Sequence, residues 1–203
     1  MKEKRENEHM SDIDLSENNT TPEIEPLMQE RDLVFFDCEF TGLRFDHELT
    51  EIGLMKVKAG TFDVLHERDI KLKPEHIENA DPHGLEISGY DPEEWAKEGV
   101  EMKAGLQEFL RYTKDVILVG QNVSKDILHL EKALFEHGLK SNYFYKPLDT
   151  FTLGWFMLRD EPAITRYSLR EMADYFGVDR GRAHRAIDDA RTTYQIFLKL
   201  LGR

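Results

Sequence analysis

Five acidic residues and one histidine stand in three short segments of this chain: Asp37-Cys38-Glu39, Asn122 through Asp126, and His184 through Asp189. Alternate residues of a β-strand share a face, so Asp37 and Glu39 point one way while Phe36, Cys38 and Phe40 point the other. Two carboxylates forced together repel, and each raises the pKa of the other unless a cation lies between them. Oxygen donors of this kind suit Mg2+ or Mn2+. Thr41-Gly42 ends the apolar run abruptly, which puts the acids at a strand end beside exposed backbone amides. An isolated Asp-x-Glu is more often one solvated face of a strand, so the other two segments carry much of the weight.

Asn122 and Asp126 lie four apart at the opening of a helix, where they can face one site. Taken alone, Asp126 reads equally as compensation of a helix dipole, and Asn122 as a turn or cap residue. The last helix discriminates better. Its stripe Ile187, Ala190, Tyr194, Phe197 and Leu201, at spacings of three and four, faces a core. Asp188 shares a face with Arg191, Thr192 and Gln195, so it is expected in solvent, paired with Arg191. Asp189 lies on the face of Thr193, Ile196 and Leu200, beside the core stripe, where a carboxylate needs a partner or a metal. His184 falls in or just before the first turn. Its reference pKa near neutrality suits it to accept a proton from a metal-activated water. Among the other histidines only His83, in a turn leading into a helix, has an informative context; His9, His47, His66, His76, His129 and His137 read as surface or structural.

The elements that must position these residues follow from periodicity. Leu33–Phe40 is a β-rich run, and Leu49–Val57 and 64–72 follow it as two more strands, giving three in succession with antiparallel pairing. The segment 100–112 places Met102, Leu106, Phe109 and Leu110 at helical spacing, and 116–119 is a buried strand. Ile127, Leu130 and Leu134 belong to a helix that Gly138 can close in a left-handed conformation. Ser168-Leu-Arg-Glu171 is a capping box, and Gly177 stops the helix it opens. The final helix reaches about Leu201. Strands come first and then alternate with helices, which predicts an α/β domain on a mixed central sheet flanked by helices.

Composition bounds the rest. A length of 203 residues fits one domain. Residues 1–31 are acidic, rich in Glu, Asn, Ser and Thr, and contain Pro22 and Pro26, so a disordered tail is expected ahead of a domain over 32–203. No apolar run approaches bilayer length, and the N-terminus is charged where a secretory segment is apolar. A cytoplasmic protein without membrane partners is expected. Cys38 is the single cysteine, which excludes an internal disulfide and a cysteine-rich zinc site. The net charge of −13 argues against a long basic track for nucleic acid. After residue 158, however, nine Lys/Arg face seven Asp/Glu. Arg166, Arg170, Arg180, Arg182, Arg185 and Arg191 in that segment fit either a solvated helix surface or contacts to a nucleic-acid backbone.

Together the three segments resemble the DEDDh exonucleases, the family of the proofreading epsilon subunit of bacterial DNA polymerase III, ribonuclease T and oligoribonuclease. The likeness runs over about residues 32–201. The first motif, Asp-x-Glu then Thr-Gly, matches Asp37 to Gly42; the second matches Gln121-Asn122 through Asp126; the third, His-x-Ala-x-x-Asp, matches His184 to Asp189 and selects Asp189 over Asp188. Glu51-Ile52-Gly53, His83-Gly84-Leu85 and Leu148-Asp149-Thr150 match as well. The resemblance implies an RNase H-like exonuclease fold and two divalent ions, with Asp37 bridging them, Glu39 and Asp189 completing the first site, and Asp126 supporting directly or through water. It makes His184 the base for the attacking water. Phe40, Thr41 and Leu43 would hold the terminal nucleotide, backbone amides near Thr41 would take its 3′ hydroxyl, and Asn122 would position the strand. The implied activity is 3′ to 5′ hydrolysis of single-stranded DNA or RNA ends, releasing nucleoside 5′-monophosphates. The rival reading is a catalytically silent module on the same fold that binds nucleic acid or a polymerase. Homodimerisation and polymerase association are both open at this point.

Overall fold

A strand as apolar as Leu33–Phe40 (β1) is stable only with both faces covered, and the sheet places it centrally. The computed structural model describes residues 26–182 and 184–202. β1 pairs antiparallel with Leu49–Val57 (β2), which pairs antiparallel with Val64–Lys73 (β3). Val100–Glu101 (β4) adds in parallel to the end of β3. On the other side of β1, Ile117–Gly120 (β5) and then Phe144–Asp149 (β6) add in parallel. The order β4-β3-β2-β1-β5-β6 is the mixed sheet with three leading antiparallel strands that the patterning predicts. Neither β4 nor β6 was foreseen: two residues carry no periodicity and 100–112 reads as helix throughout, while Pro147 breaks the strand pattern of 144–149.

Asp81 and Asp91 start two short helices, Pro82–Ile87 (α1) and Pro92–Glu98 (α2), each aspartate accepting first-turn N–H groups and each proline standing where no N–H is needed. Met102–Tyr112 (α3) and Ser124–Glu136 (α4) cover one face of the sheet, burying Leu106, Phe109, Leu130 and Leu134 against Phe36 and Leu54. Thr150–Leu158 (α5), Leu169–Phe176 (α6) and Ala186–Leu200 (α7) lie C-terminal to these. α7 covers the opposite face, with Tyr194 and Phe197 against Phe35, Met55 and Val119, and α6 packs on α7 through Met172, Ala173, Ile196 and Leu200. Leu200, not Leu201, closes the apolar stripe, because the helix ends there and Leu201 is half exposed.

Gly138 and Gly177 adopt φ of +67° and +66°, the expected left-handed stops. The capping box is only half formed. Ser168 accepts from the Glu171 N–H at 3.2 Å, but Glu171 reaches past it to the amides of Thr165, Arg166 and Tyr167 at 2.9, 2.6 and 2.7 Å. Those donors hold its carboxyl down to about 2. Of the acidic segment 1–31, residues 1–25 lie outside the described residues. Arg31 is buried, donates to the Asp115 carbonyl at 3.0 Å and lies over the Phe144 ring, so the packed body begins before residue 32. No helix of the described residues is long and apolar enough to cross a membrane.

Candidate active site

Leu33 and Phe35 face α7, and strand alternation carries Asp37 and Glu39 onto that same side at the end of β1. There they meet the first turns of two helices. Burial, then the charges of Asp126, Glu39, Asp189 and Glu51, hold Asp37 well above the usual carboxylate range. Glu39 is pushed up to about 8, by burial and then by Asp189 and Asp126, with Lys125 and Arg185 opposing. Burial also raises Asp126, to about 7, against the Lys125 charge and the amide of Cys38, which donates to it. Asp189 is raised by burial too, although the His184 N–H, 3.3 Å from its Oδ2, and the Arg180 charge favour its anion. Acids from β1, α4 and α7 therefore stand near enough together for Asp126, Glu39 and Asp189 to act on Asp37.

Each has its own support. Asn122, at φ +55°, turns the chain from β5 into α4, and its N–H donates to Asp149 Oδ1 at 2.9 Å, an oxygen that also caps α5. Its side chain is exposed beside the cleft. Gly53 stands opposite Asp37 in the β1–β2 register, and a Cβ there would lie 2.1 Å from the main chain of Ala186 and Ile187. Glycine thus lets the head of α7 rest on β2 and brings Asp189 to β1. His184 precedes that head at φ +62°, with Nδ1 4.0 Å from Glu39 Oε1. One ligand atom each from Glu39, His184 and Asp189 lie within 4.8 Å of one another.

Next to the acids, Phe40, Leu43, His83, Gly84 and Lys125 line a cavity of about 80 Å³. Phe40 packs against His129 with the rings tilted and their centroids 4.7 Å apart, and Lys125 Nζ lies 4.0 Å from the Phe40 centroid. Leu43 is 78% exposed at the rim. Thr41 is buried, and both its N–H and its hydroxyl are engaged with Glu48, at 2.8 and 3.0 Å. The amide of Thr41 itself is therefore engaged within the turn, which leaves the role expected of amides near Thr41 to its neighbours. A larger hollow of about 590 Å³, lined by Thr165, Arg166, Arg170, Glu171 and Tyr175, contains none of the five motif residues.

Several assignments change with the fold. The Asp188 side chain is only 13% exposed, held by Arg191 at 2.9 Å and by Arg182 at 3.5 Å, so the expected pairing forms but solvent exposure does not. The basic segment is not one surface: Arg185 is half-buried and pairs with Glu51, Arg191 also pairs with Glu67, and Arg170 pairs with Asp174. Arg166 and Arg180 make no ion pair among the described residues. Lys125, Arg185, Glu51 and Asp149 stand in or beside the cleft without having been singled out as site residues. Glu51 had a signal, since the Glu51-Ile52-Gly53 match falls in the strand next to β1. Burial and then its contact with Asp69 push it up to about 8.

The sequence matches the RNase T exonuclease family over residues 34–197. The PolC-type DNA polymerase III of Caldanaerobacter subterraneus subsp. tengcongensis is 29% identical over 179 residues, 86% of this chain and 12% of that protein. The DNA polymerase III subunit epsilon of Aquifex aeolicus is 36% identical over 97 residues, 47% of this chain and 46% of the subunit. E. coli exonuclease I in complex with a dT13 oligonucleotide superposes with a TM-score of 0.70 at 16% identity, over 84% of this chain and 40% of that one. The zinc-bound exonuclease I complex with single-stranded DNA gives 0.72 at 17% identity, over 85% and 40%. The chain thus spans 12% of the PolC-type relative and 46% of the epsilon subunit, and has the fold of the matched part of exonuclease I. With three ordered motifs meeting in one cleft of that fold and a family match covering most of the sequence, the chain belongs to the RNase T exonuclease family.

Proposed function

We propose that the chain is a metal-dependent 3′ to 5′ exonuclease that removes nucleoside 5′-monophosphates from single-stranded DNA or RNA ends. The observation that carries this is the convergence of Asp37, Glu39, Asp126 and Asp189. Buried Glu39 and Asp126 and half-buried Asp37 and Asp189, with the others' charges raising Asp37 and Glu39, fit divalent cations, because bound cations would remove the repulsion that burial amplifies. Asp37, Glu39, Asp126 and Asp189 would hold two Mg2+ or Mn2+ ions. When bound, such ions lower the pKa of a water and offset charge at the phosphate and the departing 3′ oxygen.

The chain's own residues supply the rest. His184, at the open edge beside Glu39, takes the proton of the attacking water. Water oxygen adds to phosphorus, the bond to the penultimate 3′ oxygen breaks, and the terminal nucleotide leaves carrying the phosphate. Phe40 and Leu43 wall the cavity for the terminal base and sugar, with Thr41 fixing the turn between them. Lys125 brings a cation to the same cavity, suited to the phosphate, and Asn122 lines the approach of the strand. The domain over about 32–203, onto which Arg31 also packs, is the part to which this activity is assigned.

The test uses single strands of DNA and RNA labelled at the 3′ end, with Mg2+, Mn2+ or EDTA. Mononucleotides should appear only with the cations, and Asp37→Ala should release none. Wild-type rates in Asp37→Ala, or nucleotides released from the 5′ end, overturn the proposal. A protein that binds single strands but never shortens them is the silent module instead.

A further inference from the structure

Beside the acids stands a half-buried cation to which the proposed chemistry gives no part. Arg185 occupies the N-cap of α7, directly after His184 and four residues before Asp189. Its side chain is only 12% exposed, and its guanidinium meets acids from three different elements. Nε lies 3.1 Å from Glu51 Oε1 on β2, Nη2 3.3 Å from Asp69 Oδ2 on β3, and Nη1 3.3 Å from Glu94 Oε1 on α2. Trp95 lies 5.6 Å away, its own indole N–H donating to the Thr50 carbonyl at 2.7 Å. A planar fork with five donors can serve three acids at once; an ammonium, being a point charge, cannot reach all three in fixed directions.

The main chain of the same residue begins the helix. Its carbonyl accepts from the N–H groups of Asp188 and Asp189 at 2.9 and 3.0 Å. Arg185 therefore joins the far strands of the sheet to the backbone that carries Asp189. On its other side His184 is held at φ +62°, a conformation that a histidine keeps only where its flanks determine it. Gly53 permits the approach of α7, but a glycine supplies no attraction. Arg185 supplies it, and it engages Glu51, which lies across the strand pair from Glu39.

We propose that Arg185 is a positioning residue: its three-way ion pair fixes the head of α7 so that His184 and Asp189 meet Asp37 and Glu39, without touching the substrate. This rests on the exonuclease reading, which gives His184 and Asp189 their roles. The experiment compares wild type, Arg185→Ala, Arg185→Lys and, as a control on the exposed face of α3, Arg111→Gln. It measures kcat and KM on a labelled 3′ end, Mn2+ affinity, and recovery of kcat by added guanidinium ion. Arg185→Ala should lose about 10–100-fold in kcat, the usual effect of removing a residue that orients the groups doing the chemistry. KM should stay near wild type, Mn2+ should bind more weakly, and guanidinium should restore part of kcat. Lysine should rescue little, and Arg111→Gln should match wild type. Retained kcat in Arg185→Ala overturns the proposal, as does a loss that guanidinium does not relieve. Should Arg185→Ala fail to fold, Glu94→Gln removes one arm and keeps the others, and unchanged kcat there overturns it equally. Should the wild-type protein release no nucleotide, the exonuclease reading fails, and Mn2+ affinity alone, weakened in Arg185→Ala or not, decides the positioning role.

Discussion

At the scale of single residues, the protonation of the acids sets a pH dependence opposite to the common one. Buried carboxyls usually gain from ionising beside a cation of the protein; here Glu39 rises from 4.5 to about 8 and Asp126 from 3.8 to about 7 in the ion-free protein. The folded state then holds more protons than the unfolded one across that window, so stability falls as pH rises through it. In EDTA, Tm should decline between about pH 5 and about pH 8, and Mg2+ or Mn2+ should raise it most at the upper end. A Tm in EDTA that holds level or climbs over this range contradicts the acidic cluster. Lys125 gives a second residue-scale expectation. If its ammonium meets a phosphate, Lys125→Ala should raise KM and reduce the slope of log KM against log salt by about one. An unchanged slope would leave Lys125 as packing on Phe40.

At the scale of elements, the site depends on how closely α7 can approach β2. Gly53→Ala places a methyl group against the backbone of Ala186 and Ile187, which cannot move aside as a flexible side chain would. Overpacking of this kind costs about 1–3 kcal/mol, occasionally more. Urea denaturation should show that loss, and Mn2+ affinity should fall with it because Asp189 is carried on the displaced helix. A Gly53→Ala protein as stable as wild type, with Mn2+ bound as tightly, would mean that α7 is placed by something else. The alternation of β1 shows why element and site were legible together. Leu33 and Phe35 identify the face toward α7, and Asp37 and Glu39 inherit it without further information. The same reasoning failed where an element was too short to be periodic, as in β4, or where a side chain left its expected partner, as when Glu171 passed over Ser168 to cap the loop before it.

At the scale of the whole molecule, the charge of −13 bears on how a strand is held. Most of the basic residues near α7 are paired with acids of the same chain, which leaves few free cations to follow a backbone beyond the cleft. The grip should therefore be confined to a few terminal nucleotides and release should be distributive. Under substrate excess, products should shorten together, one nucleotide at a time. Short final products alongside untouched substrate would contradict this.

What the sequence determined by itself is the kind and order of the chemical groups. Strand alternation and a core stripe are local patterns and place Asp37, Glu39 and Asp189, while the selection of all five, with Asp126 and His184, rests on the resemblance to the exonuclease motifs. The tertiary structure decided what those groups lean on. Arg185 reads locally as one more arginine on a basic helix, since its partner Glu51 lies 134 positions away. Lys125 has no local mark that places it over Phe40, a contact between an α4 residue and β1. Burial of a charge depends on which distant elements close over it, and that is a property of packing, which no short stretch of residues contains.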